Sequence, residues 1–348
     1  MNDIAQIYRD PLFGIAILLG IIALVVLLDY GRNIYRKKQK EKSLQDLVKS
    51  YEHNGFRDEI GDLLKVSHNP LPALVFLAKS YANRGENQQA ITIYLTLLDR
   101  LEDFAEKIEI LEELGHLYYQ AGFLQQAKNI YIELLKNAPR HSHALIALVR
   151  VYETLGDYKE AMEVLECFDE LNEALSNEDR AKLRLARLYL QTLIVINDAL
   201  MPFAEKRERL CEVMQQESKL SKVILGYLKF YDLPLFWEMI STNEVDQVID
   251  LLWDFQKEQV PFDAISGSQI CEVFEAKGYL EGRGCSHFAL ETIRLFGRYS
   301  SQSVQPTFMY VCLECQTKIP FDSFRCPNCG ELGEMRLIVN PQKCDEAS

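Results

Sequence analysis

The stretch "LGHLYYQAGFLQQAKNIYIELL", Leu114 to Leu135, carries two helical patterns separated by a glycine. Tyr118 lies in the first pattern, Gly122 follows four residues later, and Ala127 comes five residues after the glycine. Glycine permits a tight exit from the first helix, because it adopts the left-handed backbone conformation without steric cost. A small alanine lets the second helix approach the first closely. The spacing therefore predicts a hairpin of two antiparallel helices.

The same pattern occurs once before and once after this stretch. "LAKSYANRGENQQAITIYLTLL" begins at Leu77 and "LVRVYETLGDYKEAMEVLECF" begins at Leu148, which offsets the three frames by 37 and 34 residues. Unrelated amphipathic helices would not reproduce five aligned positions three times. The pattern resembles the tetratricopeptide repeat, in which helical hairpins stack into a solenoid with a concave groove.

The repeats set the expected organisation of the helical part of the chain. A weaker copy of the pattern begins at Leu47, so we predict repeats over 44–176, with the clearest copies over 71–175. The pattern weakens afterwards, which predicts degenerate helical repeats over 177–299. The Ser-, Gln- and Pro-containing segment that follows predicts a linker over 300–307.

Four cysteines dominate the C-terminal part, in "YVCLECQTKIPFDSFRCPNCG". They form two C-x2-C pairs, Cys312 with Cys315 and Cys326 with Cys329, separated by ten residues. Four thiolates at this spacing can surround one zinc or iron ion tetrahedrally, and sequence does not separate the two metals. A closed tetrahedral shell leaves no position for a reactive water, so we expect a structural metal site.

The metal is expected to let this short segment fold, because its own core is too small. We predict a small metal-binding zinc ribbon over 308–339 and a tail over 340–348. Tyr310, Phe321 and Phe324 are the aromatic residues expected to pack beside the metal and against the helices. Disulfides between the cysteines are the alternative, and a reducing compartment disfavours them.

The N-terminal part predicts a membrane anchor. "LFGIAILLGIIALVVLL", residues 12–28, contains no charged residue, and with flanking turns it reaches the length that crosses a bilayer. Basic residues are concentrated over 31–43, after the apolar run, where the positive-inside rule places the cytoplasm. A cleaved signal peptide and a buried core helix are the alternatives. We predict an uncleaved anchor over 1–30, hence a single-pass membrane protein whose body lies on the cytoplasmic side.

The sequence contains no motif of a known active site. It has no P-loop and no G-x-G-x-x-G after a strand. Cys285 and His287 are two residues apart in a Gly-rich segment, which is weak evidence for a nucleophile and its base. The net charge of −13 opposes general binding to nucleic acid. We therefore predict a protein that is not an enzyme and does not bind nucleic acid.

An apolar N-terminal run, tetratricopeptide repeats and a terminal C-x2-C-x10-C-x2-C segment together look like the lipopolysaccharide assembly protein B family. The resemblance implies a protein of the bacterial inner membrane with a rubredoxin-like C-terminal domain. It also implies a non-enzymatic adaptor that regulates lipopolysaccharide biosynthesis. Its implied partners are a membrane-bound ATP-dependent protease and the lipid A pathway deacetylase, which the adaptor brings together. Phe324 and Arg325 stand where the family pattern has a tryptophan beside the third cysteine, but the four cysteines keep the family layout.

A second interpretation of the cysteines is electron transfer. A true rubredoxin-like tail would carry iron and pass single electrons to a membrane partner. Metal content and a visible spectrum distinguish this membrane-tethered electron carrier from an adaptor with a structural metal.

Overall fold

The computed structural model describes residues 71–171, 176–240, 243–282, 284–300 and 302–343, and it is mostly helical with a small C-terminal sheet. The helices up to the end of the third repeat are α1 Leu71–Asn83, α2 Asn87–Arg100, α3 Phe104–Gln120, α4 Leu124–Asn137, α5 Ser142–Leu155 and α6 Tyr158–Leu171. The remaining helices are α7 Asn177–Asn197, α8 Phe203–Gln216, α9 Ser221–Tyr231, α10 Leu233–Ile240, α11 Val245–Trp253, α12 Phe262–Ile265, α13 Cys271–Ala276 and α14 Phe288–Tyr299. Short 3-10 helices cover Ser218–Leu220 and Lys257–Gln259. The strands are β1 Val304–Cys312, β2 Lys318–Ile319 and β3 Met335–Lys343.

The chain divides into two compact units, one up to Leu117 and one from Tyr118 onward. In the first unit, α1 and α2 form the first hairpin. Ala78, Ala90 and Tyr94 are almost completely buried, in agreement with the small and aromatic positions of the repeat pattern.

In the second unit, the glycine turns have the conformation that the repeat pattern requires. Gly122 and Gly156 have φ angles of 79° and 80°. After α5, the Asp157 N–H donates to the Tyr152 carbonyl at 2.9 Å, which satisfies a carbonyl of the last helical turn. Ala161, in the following helix, has no exposed surface. The predicted tetratricopeptide hairpins are confirmed.

Helices α7 to α14 continue the same apolar core. Its large side chains include Ile224, Phe236 and Phe274, none of which has exposed surface. This cluster also includes Val149 and Leu165 from the repeat helices. The core of the repeats is therefore continuous with that of the later helices, whose description as degenerate repeats stays a prediction.

The C-terminal sheet is antiparallel, with the strand order β2-β1-β3. Val304 pairs with Lys343 at one end and Cys312 pairs with Met335 at the other. The strands thus extend into both flanking segments, expected as linker over 300–307 and tail over 340–348. Backbone pairing at the end of a sheet does not need apolar residues. The polar composition of these segments therefore suggested a linker and a tail although both contain strand residues. We call the segment 304–343 the ribbon.

The predicted localisation, a single-pass inner-membrane protein with a cytoplasmic body, is corrected. Among the residues that the structure describes, no helix is long and apolar enough to cross a membrane. The longest helix, α7, has 21 residues but carries charges such as Glu178, Lys182 and Arg187, whose burial in lipid would be costly. The apolar run at 12–28 lies outside the described residues.

The turn after α5 yields a stability prediction. A Cβ atom at Gly156 would meet no atom within 4 Å, so only the positive φ angle opposes a side chain there. Gly156→Val is expected to lower the free energy of unfolding by about 1–2 kcal/mol, because a β-branched residue disfavours this conformation. Gly156→Asn should lower the free energy of unfolding by less, since asparagine tolerates a positive φ angle. Urea unfolding of both variants measures the difference, and equal stabilities would show that the turn does not impose this conformation.

Candidate metal centre

The two C-x2-C pairs lie in two loops with the same backbone geometry. The Cys312 N–H donates to the Thr317 carbonyl at 3.0 Å, and the Cys326 N–H donates to the Glu331 carbonyl at 2.8 Å. In each loop the residue after the second cysteine has a positive φ angle, 59° at Gln316 and 78° at Gly330. The β1–β2 pairing positions the first loop, and a bridge between Arg325 and Leu332 positions the second.

The two loops bring the four cysteines together. The Sγ atoms of Cys312, Cys315, Cys326 and Cys329 all lie within 4.8 Å of one another. The Cys312–Cys329 and Cys315–Cys326 Sγ distances are 3.6 and 3.5 Å, too long for a disulfide of about 2.05 Å. A tetrahedral site with metal–sulfur bonds of about 2.3 Å places its sulfurs about 3.8 Å apart. The cluster therefore fits a metal ion with four thiolate ligands.

The surroundings of the thiols affect their protonation in different ways. The hydroxyl of Thr317 lies 3.2 Å from the Cys315 Sγ, and hydrogen bonding there lowers the pKa of Cys315 to about 5. Burial raises the pKa of Cys329 to about 12, and burial also raises the pKa of Cys312. A metal that binds all four as thiolates must displace protons from the groups with raised pKa, so metal binding would release protons and weaken at low pH.

A largely buried ion pair attaches the second cysteine loop to the repeats. The Arg325 guanidinium donates from Nε and Nη2 to both carboxylate oxygens of Glu153, on α5, at 2.6 to 2.9 Å. Its Nη1 donates to the carbonyl of Gly330 at 2.9 Å. The side chains of Arg325 and Glu153 are only 13% and 11% exposed, so water screens the pair weakly. Arg325 thus connects the loop backbone to a repeat helix.

Aromatic and charged contacts hold the other side of the ribbon. The Tyr310 hydroxyl donates to the Asp250 carboxylate, on α11, at 2.5 Å, and Lys222 pairs with the same carboxylate at 2.7 Å. The ring of Phe324 packs on Tyr189, on α7, with ring centroids 4.7 Å apart. Both Tyr310 and Phe324 therefore contact the helices as predicted.

Phe321 is 58% exposed, so most of its surface is not packed, and its predicted contact with the helices stays a prediction. It lies in the loop between β2 and the second pair of cysteines, and its neighbour Asp322 is the residue that reaches Lys222, at 3.5 Å. Residue type alone did not indicate which side of this loop faces the helices.

A second guanidinium lies directly against the second cysteine loop. A Cβ atom built on Gly330 would lie 2.1 Å from the Cζ of Arg150, on α5, so the glycine provides the space for this side chain. The Arg150 Nε is buried and has no hydrogen-bond partner. Burial lowers the pKa of Arg150, and the positive charge of Arg325 lowers it further. Arginine nevertheless stays charged in proteins, so this cation needs a compensating negative charge.

A cavity of about 430 Å³ lies between the ribbon and the helices α5, α6 and α7. Its wall is mainly apolar, with Ile146 from α5, Leu165 from α6, Leu183 from α7 and Leu332 from the ribbon. Arg150 and Arg325 add positive charge to the lining. Because both the repeats and the ribbon contribute residues, the cavity exists only while the ribbon stays docked.

Comparisons with known proteins match the repeat helices and give relatives that share one name. Two segments, 73–107 and 112–166, match models of the tetratricopeptide repeat family. The chain is 24% identical over 131 residues to lipopolysaccharide assembly protein B of Escherichia coli K12, which covers 37% of this chain and 32% of that protein. It is 20% identical to the Haemophilus influenzae protein of the same name, over 90% of this chain and 89% of the relative.

The chain contains tetratricopeptide repeats and is similar to lipopolysaccharide assembly protein B. The cysteine cluster adds a C-terminal domain suited to hold a metal. The matched region spans about a third of the length of the Escherichia coli relative. A human protein O-mannosyl-transferase is 37% identical over 89 residues, but these make up only 10% of its length.

Sequence reasoning found the four cysteines but missed Arg150, Glu153, Lys222 and Asp250. All four lie on helices and look like ordinary surface charges in the sequence. One signal was available: Arg325 stands beside Cys326 in place of the family's tryptophan, which indicated a changed contact at that position.

The Arg325–Glu153 pair yields a second stability prediction. Glu153→Ala leaves a guanidinium buried without its partner, so it should lower the free energy of unfolding by about 3–5 kcal/mol. The control is Lys219→Ala, which removes a more exposed ion pair between the helices and Glu334 of the ribbon. That loss should cost less than about 1 kcal/mol. If denaturant unfolding shows the same loss in free energy of unfolding for both variants, the Arg325–Glu153 pair does not contribute more than an exposed ion pair.

Proposed function

We propose that this protein is a non-enzymatic adaptor in the regulation of lipopolysaccharide assembly, which binds client proteins through its repeat helices and the docked ribbon. The observation that carries the proposal is the cavity formed jointly by α5, α6, α7 and the ribbon. An apolar wall with positive charge at its edge suits a protein segment that buries aliphatic side chains. Tetratricopeptide repeats commonly bind proteins in this way, and the relatives' name supports the pathway.

We further propose the partners that the family resemblance implies. An ATP-dependent protease would bind the adaptor together with the lipid A pathway deacetylase, and the adaptor would promote degradation of the deacetylase. A reconstituted assay tests this directly, with purified protease and deacetylase, in the presence and absence of the full chain. The adaptor should accelerate loss of the deacetylase and not of an unrelated folded protein. An unchanged rate would contradict these partners.

The cavity gives a specific variant for the same assay. Ile146 lines the cavity and is 37% exposed, so a client can reach it. Ile146→Glu should weaken client binding by about tenfold or more, because a buried carboxylate would have to lose its water. Leu200→Glu is the matched control, since Leu200 is 93% exposed and lies outside the cavity lining. Equal binding by both variants would place the client on another surface.

We propose that the ribbon binds one structural metal, zinc or iron, through Cys312, Cys315, Cys326 and Cys329. When bound, the metal supplies folding energy to the ribbon, on the order of 10–16 kcal/mol for zinc in isolated finger peptides. The chain's own residues then position the ribbon: Arg325 fixes the second loop on Glu153. In this role the metal site supports the client surface and performs no reaction.

Removal of two ligands tests the structural role. Cys312→Ser combined with Cys315→Ser should abolish metal binding and remove hydrogen-exchange protection over 304–343, while α1 to α6 keep theirs. Cys167→Ser is the control, because Cys167 is exposed and lies outside the cluster. Full protection of the ribbon in the double variant would contradict a structural metal. Stoichiometric iron with a reversible one-electron couple in the unaltered protein would instead favour the electron carrier.

A further inference from the structure

The proposed metal centre carries a charge that the ribbon does not balance. Four thiolates and one divalent ion have a net charge of −2. The other charged residues of the ribbon balance one another, with Lys318, Arg325, Arg336 and Lys343 against Glu314, Asp322, Glu331 and Glu334. The compensating charge for the metal centre must therefore come from solvent or from the helices on which the ribbon is docked.

Arg150 is placed to supply this charge. Its guanidinium lies over the Cα of Gly330, the residue after Cys329, closely enough that any side chain at Gly330 would collide with it. Its Nε has no hydrogen-bond partner, and the carboxylate nearby, Glu153, already receives three hydrogen bonds from Arg325. Two partly buried cations thus stand beside the Glu153 carboxylate and the cysteine cluster.

We propose that Arg150 is the counter-ion of the metal–thiolate centre and couples metal binding to the docking of the ribbon on α5. The inference rests on the proposed metal-bound state of the ribbon. With the metal bound, the dianionic centre compensates Arg150. Without the metal, the four cysteines are no longer gathered into one dianionic centre, and Arg150 and Arg325 repel each other in a poorly screened place.

Thermodynamic linkage makes this coupling reciprocal. A cation that stabilises the loaded centre raises metal affinity, and the bound metal in turn strengthens the contact between α5 and the second cysteine loop. Because Gly330, Glu331 and Leu332 form part of the cavity wall, metal loss would open the proposed client site from the ribbon side. The metal would thus control whether the client surface is assembled.

Zinc affinity of the full chain tests the proposal. It is measured by competition with a chromogenic chelator at fixed pH and salt concentration. Arg150→Gln should weaken zinc binding by about 10- to 100-fold, the usual effect of removing a group that supports metal ligands from outside the coordination shell. Arg150→Lys keeps the positive charge and should recover most of the affinity, whereas a role in packing alone would not be rescued by lysine.

Lys182→Gln is the matched control. Lys182 also lines the cavity and pairs with Glu331 of the ribbon at 3.2 Å, but its side chain is 51% exposed. Lys182→Gln also removes one positive charge, but from a position that solvent screens, so zinc affinity should change by less than about threefold. Wild-type affinity in Arg150→Gln, or equal losses in Arg150→Gln and Lys182→Gln, would overturn the proposal.

Hydrogen exchange gives a second measurement that does not depend on affinity. In zinc-loaded Arg150→Gln, amide protection should fall at 326–332 and remain in the β1–β3 pairing. Treatment of the wild-type protein with a chelator is expected to lower protection first in the same segment. Unchanged protection at 326–332 would contradict the coupling. A wild-type chain that binds no metal stoichiometrically would overturn the metal-bound ribbon itself, whereas metal binding that is insensitive to Arg150 would overturn only the counter-ion.

Discussion

The buried ion pair between Arg325 and Glu153 is the contact on which the arrangement of this protein depends most. It joins the cysteine-containing ribbon to the third repeat hairpin with three hydrogen bonds. A guanidinium and a carboxylate form a bidentate pair, so this contact fixes the orientation of the ribbon on α5 as well as its distance. Burial makes the geometry strict, because either charge without the other would be costly to keep away from water.

The cavity follows from this attachment. Repeat helices present an apolar surface, and the ribbon covers one side of it with Leu332 and Glu331. A ribbon of this size has few buried residues of its own, with Tyr310, Val311, Ile319 and Leu332 as its main apolar ones. It therefore depends on the helices for packing and on the proposed metal for its loops.

This mutual dependence explains how a metal site without an open coordination position can serve an adaptor. In the proposed function the metal acts on the shape of a protein surface, since the second cysteine loop, which offers two of the ligands, also lines the cavity. Arg150 and Arg325 both line the cavity, and Arg150 also lies against Gly330, the residue after Cys329. In the proposed counter-ion role, electrostatics would connect metal binding in the ribbon with the position of the cavity wall.

The sequence by itself determined the features that depend on local spacing. The Tyr–Gly–Ala pattern predicted the helical hairpins, because a glycine with positive φ and a buried alanine are needed at fixed offsets within each hairpin. The four cysteines were equally clear, since two C-x2-C loops are local structures. The extent of the sheet was less clear, because polar strand ends resemble linkers.

Only the tertiary structure shows which residues of the helices contact the ribbon that carries the candidate metal centre. Arg325 and Glu153 are 172 residues apart, and Tyr310 and Asp250 are 60 residues apart. In the sequence of a helix, Glu153 and Arg150 look like solvated charges. Helical periodicity shows that such residues lie outside the core-facing side of the helix, but it does not show which other part of the chain packs there. Only the folded chain brings α5 against the ribbon, and the energy of a buried charge depends on that contact.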